Sequence, residues 1–330
     1  MPSVSIIVPC YNEKNHIQLL LDAICSQTYP LTLMEVIIAD GMSTDGTREI
    51  ITEWKNDHPD VKLILVDNEK QIIPAALNRA IENAKGEIIV RLDAHSHPYP
   101  DYVSRIVSAL EGGLGDNVGG AWEIRPGDDT WVAYSISRAA SHPLGAGDAL
   151  YRHGKKAAYV ETVPFGGFRK HLWEKLGGFD ETLLTNEDYE FNARIIRSGG
   201  RVWFDPEIRS IYYSRPTLDG LSRQYWRYGF WKYRMLKRFP STLRWRQALP
   251  PVFVASVLFG LCMSWNSIIA FLLFVELLLY SFVLIVIGIK LSIKLKKPLL
   301  AVGIPASIAS MHISWGSGFL WSLVSGIFIH

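Results

Sequence analysis

A carboxylate and two imidazoles follow an apolar segment in the first third of the chain. Residues 88–90 are Ile, Ile and Val, and Asp93, His95 and His97 then occupy alternate positions. Alternate residues of an extended chain share a face, so these three side chains are expected to converge on one cation. Oxygen and imidazole ligands favour Mn²⁺ or Mg²⁺ over metals that prefer thiolates. We therefore predict a divalent metal site at these three residues, and the alternative for each histidine is a hydrogen-bonded loop residue.

Two other apolar segments also end in polar residues. The first runs to Pro9 and is followed by Tyr11 and Glu13, and the second ends in Asp40. In parallel sheets, ligands bind beyond the carboxyl ends of the strands. Asp40 is suited to accept hydrogen bonds from a base or a ribose, and Tyr11 is suited to stack on a base. Helix capping is the alternative for each acid alone, whereas the whole set favours a bound nucleotide.

A further acidic pair, Glu187 and Asp188, begins a predicted helix over residues 186–198. Adjacent residues of a helix point about 100° apart, so the two acids need not share one role. The positive end of a helix stabilises carboxylates, and capping alone explains either acid. A catalytic base at this position would remain ionised and take a proton from a hydroxyl. Capping and base catalysis are thus the two interpretations of this pair.

The segments that position these residues alternate between strands and helices. Strands are predicted at 4–9, 35–40, 61–66 and just before Asp93, with amphipathic helices between them, the last over 74–83. This order predicts an α/β fold with a Rossmann-like parallel sheet, helices on both faces and right-handed crossovers. No G-x-G-x-x-G follows the first strand, which disfavours a dinucleotide site.

Charge and hydrophobicity divide the 330 residues into unlike parts. Residues 1–220 carry a net charge of −9, whereas residues 221–330 carry +11 and contain a single acid, Glu276. Three apolar segments, 249–264, 268–289 and 299–322, are candidate transmembrane helices, the first alternatively a re-entrant hairpin. A lysine-rich stretch separates the last two, and positive charge stays inside. We therefore predict a multi-pass inner-membrane protein with a cytoplasmic N-terminal domain.

The segment between these parts mixes basic and aromatic side chains at helical spacing. We place its bounds at 221–247, between an α/β domain at 1–220 and a transmembrane domain at 248–330. This composition is typical of a helix in the lipid headgroup region. Single-stranded nucleic acid also favours aromatic residues beside arginine. The adjacent apolar segments favour the membrane, and we predict no nucleic-acid partner.

The chain resembles the inverting family 2 glycosyltransferases of the GT-A fold. Within that family it is similar to the membrane-anchored glucosyltransferases that assemble exopolysaccharides such as succinoglycan on a polyprenyl lipid. The resemblance covers about residues 3–235 and rests on the order and spacing of six motifs, each weak alone. They are Val4-Ser-Ile-Ile-Val-Pro-Cys-Tyr-Asn-Glu13, Ala39-Asp40-Gly-Met-Ser-Thr-Asp-Gly-Thr47, Asp93-Ala-His95, Val163-Pro-Phe-Gly-Gly-Phe-Arg169, Gly177-Gly-Phe-Asp-Glu181 and Asn186-Glu-Asp188. In addition, Gln224-Tyr-Trp-Arg227-Tyr228 is similar to the Q-x-x-R-W motif of polysaccharide synthases.

The resemblance implies a role for each site residue. It implies that Asp93 contacts the diphosphate and the metal, that His95 binds the metal, and that Asp188 is the base that deprotonates the acceptor. The residues that would hold the nucleoside, expected to be uridine, are Pro9, Tyr11, Glu13 and Asp40. Those that would line the sugar and acceptor pocket are Gly166, Gly167 and Glu187, with Gln224, Arg227 and Tyr228 over the diphosphate or acceptor.

The implied activity is a metal-dependent, inverting transfer of a hexose from UDP-glucose or a similar donor to a saccharide on a polyprenyl diphosphate. Two departures qualify it, because His95 replaces the Asp of many members and Tyr228 replaces the Trp of the processive enzymes. Three spans are also few for a polymer channel, which favours a single addition. The alternatives are a polyprenyl-phosphate sugar synthase and, in another class, an inactive membrane-bound scaffold that binds a nucleotide sugar.

Overall fold

The computed structural model describes residues 1–147 and 149–328, and these fall into two compact units. The first unit contains Met1–Glu123 and His153–Tyr212. The second contains Ile124–Arg152 and the described residues from Tyr213 onward. The C-terminal part thus includes a segment, 124–152, that comes from the middle of the chain.

Strands and helices alternate at first and helices alone follow. The strands are β1 (Val4–Cys10), β2 (Met34–Asp40), β3 (Lys62–Asp67), β4 (Ile88–Arg91), β5 (Ser96–Pro98), β6 (Asn117–Arg125), β7 (Ala158–Tyr159), β8 (Gly167–Arg169) and β9 (Val202–Tyr213). The helices are α1 (Ile17–Cys25), α2 (Thr47–Asp57), α3 (Ile73–Asn83), α4 (Tyr102–Glu111), α5 (Trp131–Ala140), α6 (Pro143–Ala146), α7 (Leu150–His153), α8 (Lys170–Leu176), α9 (Glu187–Arg197), α10 (Leu218–Arg238), α11 (Trp245–Cys262), α12 (Ser267–Leu295) and α13 (Leu300–Phe328).

The sheet of the first unit has the order β3-β2-β1-β4-β8-β6-β9-β5, and β7 also pairs with β9. The first four of these strands are parallel, as predicted. β8 is antiparallel to β4 and β6, and β5 and β7 are antiparallel to β9, so the sheet is mixed. β5, β7 and β8 contain three residues or fewer, too few to show a periodicity. Pro206 and the charged residues beside it interrupt the apolar pattern of β9, so the sequence alone does not predict this strand.

The register of the parallel strands brings their carboxyl ends together. Cys10 at the end of β1 pairs with Asp40 at the end of β2, and Ile7 of β1 pairs with Arg91 at the end of β4. The strands are held there by a core to which α1 contributes four buried residues, Ile17, Leu20, Leu21 and Ile24. The loops after three neighbouring strands therefore share one edge of the sheet.

In the second unit, α5, α10, α12 and α13 contribute to one apolar core. Two helices of the described chain, α11 and α12, are long and apolar enough to cross a membrane, and most of their side chains are exposed. α11 covers the predicted span 249–264 except for its last two residues, and α12 contains the predicted span 268–289. The third predicted span, 299–322, lies in α13 except for its first residue. Because α13 is not one of the two helices that are apolar enough, this span stays a prediction.

Candidate functional site

Arg91 is the centre of a buried charged cluster at the end of β4. Its side chain is 4% exposed and contacts three carboxylates. The nitrogen NH2 donates to Asp93 Oδ1 at 3.0 Å and to Glu187 Oε1 at 2.9 Å, and NH1 donates to Asp188. The planar guanidinium presents donors in several directions. It therefore links the loop after β4 with the first turn of α9.

The backbone around Arg91 is also tightly fixed. The Arg91 amide donates to the carbonyl oxygen of Gly166 at 3.1 Å, and its guanidinium lies 5.9 Å from the ring centroid of Phe165. A Cβ atom at Gly166 would lie 2.2 Å from Asn117 Oδ1, and one at Gly167 would lie 2.3 Å from Ile106 Cγ2. Both glycines are buried and permit close packing behind the cluster. Of these two predicted sugar-pocket residues, Gly166 contacts the Arg91 backbone directly.

Asp188 combines a perturbed ionisation with access to solvent. Burial is the largest cause of the shift and raises the pKa of Asp188 to about 7, Arg91 acts in the opposite direction, and Glu187 and Asp93 add to the increase. The Asp188 side chain nevertheless retains 22% exposure. A carboxylate with a pKa near the working pH is suited to act as a general base.

Asp40 organises the loop after β2. It is fully buried and accepts hydrogen bonds from Ser43 N at 2.9 Å, Ser43 Oγ at 2.5 Å and Arg48 NH1 at 2.8 Å. The same Arg48 nitrogen lies 2.8 Å from Asp67 Oδ1, at the end of β3. In this structure Asp40 therefore stabilises the loop and does not cap α2, whose N-cap is Gly46. Its proposed contact with a nucleoside stays a prediction.

The loops after β1 and β2 are hydrogen-bonded to each other. Asn12 N donates to Ser43 Oγ at 2.8 Å, and Glu13 N donates to Thr47 Oγ1 at 2.9 Å. Tyr11 is 50% exposed and packs against Gly41, where a Cβ atom would lie 3.0 Å from Tyr11 Cδ2. Pro9 pairs with Ala39 inside the sheet. The result is a fixed rim that carries an exposed aromatic ring, which suits the stacking of a base.

The chain between Asp93 and His97 is not extended. Ser96 N donates to the Asp93 carbonyl at 2.9 Å, which closes a turn, and His97 then lies on β5 opposite Ile211. The prediction that an extended chain directs Asp93, His95 and His97 at one cation is therefore wrong in its geometry. His95 Nδ1 lies 2.9 Å from Glu13 Oε1 instead, which connects the loops after β1 and β4.

The donor set fits a divalent cation that takes most of its ligands from a substrate. Among the described residues, no three His, Cys, Asp or Glu side chains are placed to hold a metal together. Asp93 uses Oδ1 for Arg91 and has a second oxygen. His95 shows the carboxylate–imidazole contact that commonly orients metal-binding histidines. Mg²⁺ in phosphate-binding sites is often held by one or two protein groups and by the phosphates.

The three predicted residues of the Q-x-x-R-W-like motif lie on α10 in the second unit. Gln224 Nε2 donates to Tyr228 Oη at 2.9 Å, one helical turn away, and Arg227 is exposed. The buried face of α10 is formed by other residues, among them Leu221, Tyr225 and Met235. Their assignment to the acceptor or the diphosphate stays a prediction.

Sequence reasoning missed the central residue of the site, Arg91. The signal was present, because an arginine inside an apolar strand is almost never buried without partners. It also missed Arg48, which joins the carboxylates that end β2 and β3. Arg91 contacts Asp188 and Arg48 contacts Asp40. Both acids had already been identified as candidates from the sequence.

Comparison with known proteins identifies the family of the chain. Residues 5–177 match the family model described as glycosyl transferase family 2. The succinoglycan biosynthesis protein ExoA of Rhizobium meliloti (strain 1021) is 30% identical over 318 residues, which cover 95% of this chain and 93% of that protein. A Methanococcus voltae protein is 28% identical over 336 residues, 99% of this chain and 98% of its own. It is named dolichyl N-acetyl-alpha-D-glucosaminyl phosphate 3-beta-D-2,3-diacetamido-2,3-dideoxy-beta-D-glucuronosyltransferase.

Solved structures share the fold at low sequence identity. The mannosyltransferase PcManGT from Pyrobaculum calidifontis, in complex with GDP-Man and Mn²⁺, superposes with a TM-score of 0.64 at 21% identity, over 97% of this chain and 87% of that one. S. aureus TarS in complex with UDP gives a TM-score of 0.52 at 16% identity, over 96% and 90% of the two chains. The predicted GT-A-like α/β fold with C-terminal helices is thereby confirmed. The family model matches more than half of the length of the chain, and the chain therefore belongs to glycosyl transferase family 2.

Proposed function

We propose that this glycosyltransferase moves a hexose from a UDP-sugar to a saccharide on a polyprenyl diphosphate, with inversion at the anomeric carbon. The observation that carries the proposal is the Arg91 cluster, in which one guanidinium holds Asp93 and Asp188 at the same edge of the sheet. The names of the relatives support the substrate class, since one belongs to succinoglycan biosynthesis and another acts on a dolichyl-linked sugar.

In the proposed reaction Asp188 takes the proton of an acceptor hydroxyl. The hydroxyl oxygen forms a bond to the anomeric carbon while the bond from that carbon to the diphosphate breaks, and UDP leaves with the electron pair. One displacement from the face opposite the leaving group inverts the configuration. Arg91 contributes by fixing Asp188 and Asp93 relative to each other, so the two substrates react in a defined geometry.

Asp93 and His95 are the proposed protein ligands of a divalent metal, Mn²⁺ or Mg²⁺. Such an ion, when bound, neutralises charge that develops on the leaving diphosphate. The mannosyltransferase neighbour was solved with Mn²⁺, which supports the choice of ion. His97 is the least supported of the three predicted ligands, because it lies beyond the turn on β5.

Glu13→Ala is expected to weaken metal binding. Glu13 contacts His95 Nδ1, and loss of a partner that orients a ligating histidine lowers metal affinity about 10- to 100-fold. The dissociation constant of Mn²⁺ in the presence of UDP, followed by electron paramagnetic resonance, measures this effect. Glu69→Ala, at an exposed position, is the control. If the Glu13→Ala and Glu69→Ala variants bound Mn²⁺ with equal affinity, the result would show that His95 does not bind the metal through an orientation set by Glu13.

The rate of transfer is expected to fall below pH 7. Because burial raises the pKa of Asp188 to about 7, the protonated, inactive form accumulates as the pH is lowered. The rate should then drop about tenfold for each further pH unit. A profile of kcat/KM between pH 5 and 9, recorded at saturating Mn²⁺, measures this limb. A rate that stays constant down to pH 5 would show that Asp188 has an ordinary pKa or is not the base.

The acceptor is proposed to meet the enzyme at the membrane. The apolar α11 and α12 and the relatives indicate membrane association. We extend this to a multi-pass chain in the inner membrane, with its catalytic unit in the cytoplasm where UDP-sugars are made. Gln224, Arg227 and Tyr228 of α10 are proposed to contact the diphosphate or the acceptor.

A donor and acceptor screen tests the function directly. The purified full chain in detergent is incubated with Mn²⁺, with each of UDP-glucose, UDP-galactose, UDP-N-acetylglucosamine and GDP-mannose, and with polyprenyl-diphosphate-linked saccharides. Mass spectrometry and linkage analysis of the products identify the transferred sugar. A product formed on bare polyprenyl phosphate would instead identify a polyprenyl-phosphate sugar synthase. Neither transfer nor donor hydrolysis with any pair would favour the inactive scaffold.

A further inference from the structure

Two unpaired cations of the second unit share one aromatic ring. The guanidinium carbon of Arg138 lies 4.8 Å from the ring centroid of Tyr134, and Lys297 Nζ lies 3.7 Å from the same centroid. Neither cation forms an ion pair with a carboxylate anywhere in the part of the chain that the structure describes. Arg138 Nε is buried and finds no acceptor among the described atoms. The described part of the chain thus gathers two positive charges around Tyr134 and supplies no anion for them.

The geometry around this ring is fixed by packing. Ile136 and Ala139 of α5 lie in one core with Leu300 and Ile304 of α13. The two helices approach so closely that a Cβ atom at Gly303 would lie 2.1 Å from Ser135 Oγ. Because α5 is held against α13 in this way, Tyr134 and Arg138 keep a constant distance from the turn that precedes α13.

That turn is itself held by hydrogen bonds. The carbonyl oxygen of Lys297 accepts from Ser292 Oγ at 3.0 Å and from the amide of Leu300 at 3.1 Å. The separation of the two cations cannot exceed the sum of their distances to the ring centroid, and a phosphate or diphosphate can bridge it. A prearranged pair of cations binds an anion with less loss of conformational freedom than two mobile side chains.

The position of the turn indicates which kind of anion it meets. Lys297 follows the end of α12, a 29-residue helix that is long and apolar enough to cross a membrane. The ends of such helices lie at the level of the lipid headgroups, where phosphate groups are concentrated. We propose that Arg138, Tyr134 and Lys297 form a binding site for the phosphate group of a lipid. Both a bulk anionic phospholipid and a polyprenyl diphosphate carry this group.

Binding to the full chain in detergent micelles tests the site without any sugar transfer. The probes are dioleoylphosphatidylglycerol, farnesyl diphosphate as a short polyprenyl diphosphate, and inorganic pyrophosphate, each titrated with the variant R138Q/K297Q. We expect its Kd for at least one of the two lipids to rise by about tenfold or more. The matched control is K290Q/K294Q, which removes the same charge from exposed positions of α12 and should change Kd by less than about twofold.

The outcomes identify the source of the phosphate or reject the site. Loss confined to farnesyl diphosphate assigns the site to a polyprenyl lipid, and loss confined to phosphatidylglycerol assigns it to bulk phospholipid. An equal loss of lipid affinity in K290Q/K294Q would show diffuse electrostatic attraction and overturn the proposal. Unchanged lipid binding by R138Q/K297Q, or a loss of affinity for pyrophosphate alone, would overturn it as well. If the double variant does not fold, K297Q in the exposed turn decides, with at least about a threefold loss expected. Since no nucleotide sugar is present, failure here leaves the proposed transfer reaction untouched.

Discussion

Replacing Asp188 with Asn is expected to lower the transfer rate by about 10²- to 10⁴-fold and to leave binding of the UDP-sugar nearly unchanged. An amide accepts no proton from the acceptor hydroxyl at neutral pH. It still offers an oxygen to Arg91 NH1, the donor that Asp188 contacts in this structure, so the cluster should keep its geometry. The turnover number at saturating substrates and calorimetry with the UDP-sugar and Mn²⁺ measure the two effects.

Glu187→Gln is the matched control for this prediction. Glu187 adjoins Asp188, accepts from the same guanidinium at 2.9 Å and is buried. Its replacement removes an equal charge from the cluster without removing the proposed base. We expect a smaller loss of rate than in Asp188→Asn. Comparable losses of rate in both variants would show that the charge of the cluster matters rather than a base at Asp188. Loss of UDP-sugar binding in Asp188→Asn alone would also refute the role of Asp188 as the base.

The parallel half of the sheet could be predicted because its strands are apolar, separated by amphipathic helices and long enough to show a pattern. From those strands it followed that Asp40, the loop after β1 and the loop after β4 share one edge, and the register of β1 with its neighbours places them there. The antiparallel half was not predictable in the same way. Apart from β6, which covers the candidate strand 118–124, its strands are short or interrupted, and they are defined by pairing with distant segments rather than by local sequence.

The contacts inside the site depend on tertiary structure that no spacing shows. The alternation of Asp93, His95 and His97 suggested an extended chain, but a hydrogen bond from Ser96 closes a turn there. Likewise Arg91 and Asp188 are 97 positions apart in sequence, and only the packing of α9 against the sheet brings them together. The acids could be named as candidates, whereas the arginine that organises them could not be paired from the sequence.

The C-terminal half shows a similar limit. Its apolar character and its basic, aromatic helix were visible in the composition, and α10, α11 and α12 form there. The contribution of α5 was not visible, because residues 131–140 lie far before the apolar region that begins at residue 249 and look like an ordinary amphipathic helix. Its packing against Leu300 and Ile304 is what creates the paired cations around Tyr134.

Replacing Arg91 with Gln is expected to destabilise the protein and to abolish transfer. The substitution leaves Asp93, Glu187 and Asp188 in a buried cluster without their common cation. Removal of one partner from a buried ion pair costs about 3–5 kcal/mol. Arg169→Gln is the matched control, because Arg169 also joins two carboxylates, Glu87 and Glu111, but at the surface. Its loss should cost less than about 1 kcal/mol in thermal or denaturant unfolding.

Arg91→Lys distinguishes a role in positioning from a role in folding alone. A lysine keeps the charge but lacks the planar fork that reaches three carboxylates, so the variant should fold and yet lose about 10²-fold in kcat. The KM for the UDP-sugar should change little if Arg91 acts through Asp188. Because Arg91 lowers the pKa of Asp188 against the effect of burial, a weaker contact should move the acid limb of the rate profile to higher pH. A folded Arg91→Lys enzyme with normal kcat and an unmoved limb would show that the guanidinium only neutralises charge.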